Sequence, residues 1–256
     1  MRLPPPQVLL RGLAILEALN RRPVSSVDDI ARATALPKPT VVRMLSLLAS
    51  ASYVQRLPRR RGYTLNDRVL ALSAGYRSQD AVVRAARPIL SGFTARHRWP
   101  VAIATLDGDA MRVRAGTESP FATPGDLALI AQRVPILTSA VGRAYLAFCP
   151  EEEREMIVAL LKASARKHDL PARDQQFLSG LIGSIRRVGY AVSAPQPGDP
   201  AIGLAVPVRA KQRVLACLTL RYLGKAISEA DVVHRYLSPL RAAASAIAHA
   251  VSRTSE

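Results

Sequence analysis

The sequence predicts an α+β chain in two parts, and three observations lead there. Residues 7–51 carry only helix-type apolar spacing and are followed by a short basic hairpin. Residues 80–256 interleave helix-type and strand-type segments. Positive charge is concentrated at the front: residues 1–77 hold 13 Lys+Arg against 4 Asp+Glu, while residues 78–256 hold 23 against 15. The expected divisions are 5–66 for the first domain, 67–79 for a linker helix and 80–256 for the second domain.

The first helix is expected from Gln7 to Asn20, with Leu9, Leu13, Leu16 and Leu19 recurring at helical spacing. The Arg21-Arg22-Pro23 turn stops it. Ser26 then opens a second helix, with Asp29 three residues on as in a capping box. The acidic pair Asp28-Asp29 suits the positive end of that helix. Ala35-Leu36-Pro37 is a tight turn into a third helix. Pro39 is tolerated there, since first-turn amides lack intrahelical partners. Val41, Leu45 and Leu48 should face inward, leaving Lys38, Thr40, Val42, Arg43 and Ser46 for the other faces.

A short helix, a turn and a helix with a cationic start form the helix-turn-helix pattern, in which the second helix enters a DNA major groove. Tyr53–Arg56 and Tyr63–Leu65 read as strands around the basic turn Leu57-Pro58-Arg59-Arg60-Arg61-Gly62. After a helix-turn-helix this hairpin reads as a wing, its arginines neutralised by phosphates. The expected partner is double-stranded DNA. The expected contacts are Lys38, Pro39, Thr40, Val42, Arg43 and Ser46 on the helix, with Arg56, Arg59, Arg60 and Arg61 on the hairpin.

The linker helix shows Val69, Leu70, Leu72 and Tyr76 as an apolar set. Beyond it, helices are expected at Val82–His97, Val141–Phe148, Glu151–Ser164, Arg173–Val188 and Ser228–Ser252. Strands are expected at Val101–Leu106, Met111–Ala115, Tyr190–Ser193, Ile202–Val208 and Val214–Tyr222. The last two frame the turn Arg209–Arg213, which implies an antiparallel hairpin. The whole reads as an antiparallel sheet flanked by helices.

Two segments are suited to a ligand. Thr138, Ser139, Ala140, Val141 and Gly142 sit where an apolar segment turns into a helix, and helix-end amides suit a carboxylate. On the strand 216–221, alternation puts Cys217, Thr219 and Arg221 on one face, opposite Ala216, Leu218 and Leu220. A mixed polar row on such a strand can line a pocket, and Arg221 can clamp an acid.

Other classes find little support. The two cysteines and four histidines show no metal-ligand spacing, and the run Glu151-Glu152-Glu153 suits a helix N-terminus. No metal or other cofactor is expected. No GxSxG, GxxxxGK, GxGxxG or HExxH is present, which argues against an enzyme with a nucleic-acid-binding appendage. No apolar run is long enough for a membrane span, and the proline-rich start is unlike a signal peptide, so a cytoplasmic location is expected. The net charge of +17 calls for a polyanion, an acidic partner or an anionic membrane, and its concentration at the N-terminus favours the first.

Several stretches together resemble the IclR family of bacterial regulators: Leu10-Arg11-Gly12-Leu13-Ala14-Ile15-Leu16, residues Leu36 to Leu45, Tyr63-Thr64-Leu65, Leu70-Ala71-Leu72 and Arg133 to Ala147. The resemblance covers nearly the whole chain. It implies a winged helix-turn-helix, a linker helix that helps form a homodimer or homotetramer, and a GAF-like effector domain. It also implies an effector cavity lined from the two segments above. Where family members often carry His or Tyr before the recognition-helix Arg, this chain has Val42, an apolar residue suited to a thymine methyl. The stretch Arg143 to Pro150 resembles the branch that regulates degradation of aromatic acids. Many of that branch are activators, which would add RNA polymerase as a partner. A repressor of an unrelated carbon-metabolism operon is the alternative within the family.

Overall fold

The computed structural model describes residues 7–58, 62–74, 81–120, 129–194 and 200–254. The chain divides into two compact units, Met1–Arg77 and Ser78–Glu256.

The first unit holds α1 (Gln7–Asn20), α2 (Val27–Thr34) and α3 (Lys38–Ser50), then the antiparallel strands β1 (Val54–Leu57) and β2 (Gly62–Leu65), then α4 (Arg68–Ala74). The capping box forms as its sequence implies. Ser26 Oγ accepts from the Asp29 amide at 3.1 Å, and Asp29 Oδ2 accepts from the Ser26 amide at 3.2 Å. The hydrogen bond from the Ser26 side chain is the largest influence holding the Asp29 carboxyl below its ordinary range. Ala35 closes α2 in the left-handed conformation, and Pro37 starts α3.

Ile15, Leu19, Ile30, Val41, Met44, Leu45 and Val54 form the core of this unit. The apolar face expected on α1 is thereby corrected. Leu9 is 60% and Leu13 45% exposed, while Ile15, Ala18 and Leu19 are buried. The reason is length. At 1.5 Å per residue α2 spans roughly 12 Å, against about 21 Å for α1, so it cannot cover the first turns. Val8, Leu9, Leu10 and Leu13 are left as an exposed apolar cluster. Residues 75–79 of the expected linker helix and the arginines 59–61 lie outside the described residues.

The second unit is built on a six-stranded antiparallel sheet in the order β5-β4-β3-β8-β7-β6. Its elements run α5 (Ala81–His97), β3 (Val101–Asp107), β4 (Ala110–Gly116), β5 (Arg133–Pro135), α6 (Ala140–Phe148), α7 (Glu151–Ala163), α8 (Gln175–Val188), β6 (Ala191–Val192), β7 (Ala201–Ala210), β8 (Arg213–Leu223) and α9 (Glu229–Thr254). β5 and a 3-10 turn at Leu170–Arg173 go beyond the elements expected from sequence. The β7–β8 hairpin closes as expected, with Ala210 opposite Arg213.

The sheet carries helices on both faces. Val101, Ile103, Leu204, Val206, Leu218, Leu220 and Tyr222 meet α5 and α9 through Val83, Leu90, Leu240, Ala244 and Ile247. Met111, Val113, Ala205 and Cys217 meet α6, α7 and α8 on the other side. The edge strands are short: β5 has three residues and β6 two. β5 is held by side chains. Arg133 reaches Asp107 Oδ2 at 3.0 Å and Asp109 Oδ1 at 2.5 Å. Arg166 bridges Asp109 to the buried Asp169, at 2.8 Å from Asp169 Oδ2.

Two glycines fix close approaches. Gly62 has φ +110°, and a Cβ there would lie 2.5 Å from the Ser25 carbonyl oxygen. Ser25 and Tyr63 are bridged at this point, with Ser25 N to Tyr63 O at 3.0 Å. Gly62→Ala is expected to destabilise the first unit by roughly 2 kcal/mol or more, combining backbone strain with overpacking. Denaturant titration of full-length variant and parent checks this, and an unchanged midpoint refutes it. In the second unit, a Cβ on Gly142 would lie 2.5 Å from the Ile136 carbonyl oxygen. Gly142→Ala should therefore push α6 off the 136–137 segment and cost about 3 kcal/mol, the upper part of the overpacking range. Its thermal midpoint, read by circular dichroism, should fall while that of Gly12→Ala, where the added methyl meets nothing within 4 Å, does not.

Candidate functional site

Two surfaces gather the residues singled out from sequence. On α3, Pro39, Val42, Arg43 and Ser46 are exposed along one face at i, i+3, i+4 and i+7. Val42 is 48% exposed. Thr40 is half-buried beside them. Lys38 is exposed, and its Nζ lies 2.8 Å from Asp28 Oδ1. That contact is solvent-exposed at both ends, so it constrains Lys38 only weakly. Arg56 is exposed on β1, opposite Tyr63. Arg59, Arg60 and Arg61 lie outside the described residues.

In the second unit a cavity of about 310 Å³ opens between the sheet and the start of α6. It brings together Thr138, Ser139, Ala140 and Val141 from the turn into α6 with Thr219 and Arg221 from β8. The alternation along β8 explains the second group, because Leu218, Leu220 and Tyr222 point into the α5–α9 layer instead.

The start of α6 is built so that some amides stay available. Ser139 Oγ donates to the Pro135 carbonyl at 2.6 Å and accepts from the Gly142 amide at 3.1 Å. The Arg143 amide is taken by the Ser139 carbonyl at 3.0 Å. Ala140 and Val141, both lining the cavity, are in the first turn, where amides have no intrahelical acceptor. The helix dipole adds partial positive charge there. Arg143 serves the frame: Nε donates to the Leu137 carbonyl at 2.7 Å and Nη1 to the Val192 carbonyl at 2.9 Å. Burial lowers its guanidinium pKa. On the sheet side, Thr219 Oγ1 donates to the Leu204 carbonyl at 3.2 Å. Ser193, also at the cavity, accepts from the Gly203 amide at 3.0 Å. Arg221 is half-buried, and its amide donates to Pro100 O at 3.0 Å.

Two residues of the expected ligand set stand elsewhere. Gly142 does not line the cavity; it faces the backbone of Ile136. Cys217 shares the face of Thr219 but lies under α6 in the core, fully buried. Burial pushes the Cys217 thiol well above its ordinary value and that of Cys149 up to about 11. Neither thiol is ionised near neutral pH. Among the described residues no cluster of three or more His, Cys, Asp or Glu could hold a metal, and no helix is long and apolar enough to cross a membrane.

Sequence reasoning missed the floor and far wall of the cavity. Ala102, Ala104, Gly116 and Gly203 form the floor, and Val113 on β4 and Val134 on β5 line it further out. Gly203 was the available signal. It sits inside a strand at an ordinary φ, where glycine costs stability and marks a close approach. A Cβ there would lie 3.0 Å from the Ala140 Cβ and 3.2 Å from Thr219 Oγ1.

Comparison with known proteins gives these surfaces a context. Residues 8–58 match the IclR helix-turn-helix domain, and residues 74–249 match the bacterial transcriptional regulator IclR C-terminal domain. The Pca regulon regulatory protein of Pseudomonas putida is 26% identical over 94% of this chain and 82% of its own length. The HTH-type transcriptional regulator TsaQ1/TsaQ2 of Comamonas testosteroni is 27% identical over 77% of this chain and 71% of its own. Two solved structures share the fold. The Thermotoga maritima IclR matches with TM-score 0.61 at 18% identity, covering 96% of this chain and 98% of that one. An IclR homolog from Microbacterium hydrocarbonoxydans, complexed with 4-hydroxybenzoate, matches with TM-score 0.58 at 23% identity, covering 96% and 99%. The matched family and these relatives are regulators, which sets the enzyme alternative aside. With both domain models matched in order along one chain, this protein belongs to the IclR family of DNA-binding transcriptional regulators.

Proposed function

We propose that this regulator binds a promoter operator as a dimer or higher oligomer and senses a small aromatic acid in the cavity between α6 and β8. One observation carries the reading. First-turn amides, five hydroxyl-bearing residues (Thr117, Thr138, Ser139, Ser193 and Thr219) and Arg221 border the same cavity, and its other lining residues are apolar. Donors and a cation complement a carboxylate, and the apolar remainder suits a ring. The 4-hydroxybenzoate complex of the Microbacterium homolog and the Pca regulon protein of Pseudomonas putida support an aromatic acid as the effector class. Control of an aromatic-compound catabolic operon follows from that class. If the protein activates, RNA polymerase is a further partner.

For DNA, the exposed face of α3 would enter the major groove, with Arg43 and Val42 at base edges and Lys38, Thr40 and Ser46 at the backbone. Arg56 and the arginines 59–61 would neutralise phosphates. Assembly follows from reach. One helix-turn-helix covers too few base pairs for tight specific binding, so a two-part operator and at least two copies are needed. Val8, Leu9, Leu10 and Leu13 on α1, with Leu70 and Leu72 on α4, are exposed apolar residues available to such an interface. Multi-angle light scattering of the full chain should give twice the 27.6 kDa chain mass or more. A monomer both free and on DNA would remove this part of the reading.

An effector alters DNA affinity only if it prefers one arrangement of the regulator over another. Arg221→Ala is therefore expected to weaken binding of an inducing aromatic acid by roughly 2 kcal/mol, about thirtyfold, at the lower end for a charge pair that is only half-buried. Unliganded DNA retention should be unchanged. Calorimetry and gel retardation on the full-length protein read both. Wild-type acid affinity in the variant would rule out this cavity as the sensor.

A further inference from the structure

The register of the sheet gives the cavity a direction. Gly203 pairs with Arg221, and Thr219 pairs with Ala102 across the β8–β3 boundary. Ala102 in turn pairs with Gly116 on β4. One row along, Ala104 stands between Cys217 and Val113. Arg221, Thr219 and the start of α6 therefore cluster over β7 and β8, while β3 and β4 offer Val101, Ala102, Ala104, Val113 and Gly116, followed by Thr117, whose hydroxyl is tied to Thr94 and Val101. From Thr219 to Gly116 is two inter-strand spacings, roughly 10 Å.

The floor along that path lies low because its side chains are missing or single methyls. Gly116 is not held there by its backbone, since its φ is not positive. A Cβ on it would meet the Ala102 Cβ at 3.5 Å, an ordinary contact, so the protein has room for alanine. Glycine at this point leaves open volume beside Ala102, and that volume belongs to the cavity. Gly203 differs, because a Cβ there would press on Ala140 and Thr219, which would have to give by a few tenths of an ångström.

We propose that Ala102 and Gly116 are the specificity-determining residues of the effector site. They form the floor under a single flat ring whose acid group points back toward Thr219, Arg221 and the α6 amides. The effector is then a monocyclic acid carrying one anionic group. A two-ring acid meets Val113, which flanks the floor one row along on β4, and a two- or three-carbon acid leaves the floor uncovered. This rests on the effector reading above and adds the orientation of the ligand and the residues that set its size.

The test uses the full-length protein, with benzoate, pyruvate and 2-naphthoate as probes in isothermal calorimetry. The Ala102→Val, Gly116→Ala double variant keeps strand-forming residues and fills the floor. It should lose at least tenfold in benzoate affinity while its affinity for pyruvate stays within threefold of the parent. Val113→Ala should gain binding of 2-naphthoate, a gain that misfolding cannot produce. The inference is overturned if the floor variant binds benzoate like the parent, if it loses both acids alike, or if Val113→Ala leaves 2-naphthoate excluded. Should the parent bind none of the three acids, the effector reading falls and this inference with it. Should Arg221→Ala abolish benzoate binding while the floor variants change nothing, only the inference about the floor falls.

Discussion

The second unit depends on how closely α6 lies against what surrounds it. Two missing Cβ atoms allow this. Gly142 lets the helix rest on the Ile136 backbone, and Gly203 lets Ala140 come down onto β7 beside Thr219. Arg143 then ties the helix start to Leu137 and to Val192 on β6 through two carbonyl hydrogen bonds. A helix seated a little higher would lose both bonds and leave the carbonyls of a half-buried segment unpaired, at a cost of about 1–3 kcal/mol each. The same seating puts first-turn amides next to strand side chains. Cavity and frame are therefore one piece of packing, and the residues that shape the pocket are largely those that make the fold.

The first unit works by a different logic. Its core is small, and its stability leans on local devices: the reciprocal Ser26–Asp29 cap, the left-handed Ala35 and the Gly62 approach to Ser25. Ala35 turns the chain out of α2 towards α3, while the cap and the Gly62 approach fix the segment that enters α2. Function there needs exposure, whereas function in the second unit needs enclosure. Charge follows the division, with a net of +9 on residues 1–77 from 13 basic and 4 acidic side chains.

Much of this was legible from residues alone. Capping residues, prolines and two-residue alternation report on a few neighbours along the chain, so α2, α3 and the β7–β8 hairpin could be placed closely. Alternation also separated Thr219 and Arg221 from Leu218 and Leu220. What sequence could not report was partnership across the fold. The apolar spacing of Leu9 and Leu13 is that of a buried face, yet the eight-residue α2 is too short to cover them and both are exposed. β5 has three residues and no strand-like signature, and is held through Arg133 to Asp107 and Asp109. Cys217 follows the right alternation but sits one row too far under α6. The cavity floor comes from alanines and glycines on three strands, residues too ordinary to draw notice until register places them side by side.

The short outer strands have a consequence for the protein in a crowded solution. An exposed strand edge is a template on which another chain can add hydrogen bonds, and long flat edges nucleate aggregation. Here one outer strand offers three residues and the other two. Pro207, just beyond the stretch of β7 that β6 covers, has no amide hydrogen to donate. Among the described residues, the outermost strands themselves offer only these short stretches, and β7 beyond Leu204 and Ala205 is the longer uncovered edge. Copies of this chain that meet while still folding, at the high local concentrations of a polysome, therefore find their longest edge on β7, and there Pro207 interrupts the run of donors.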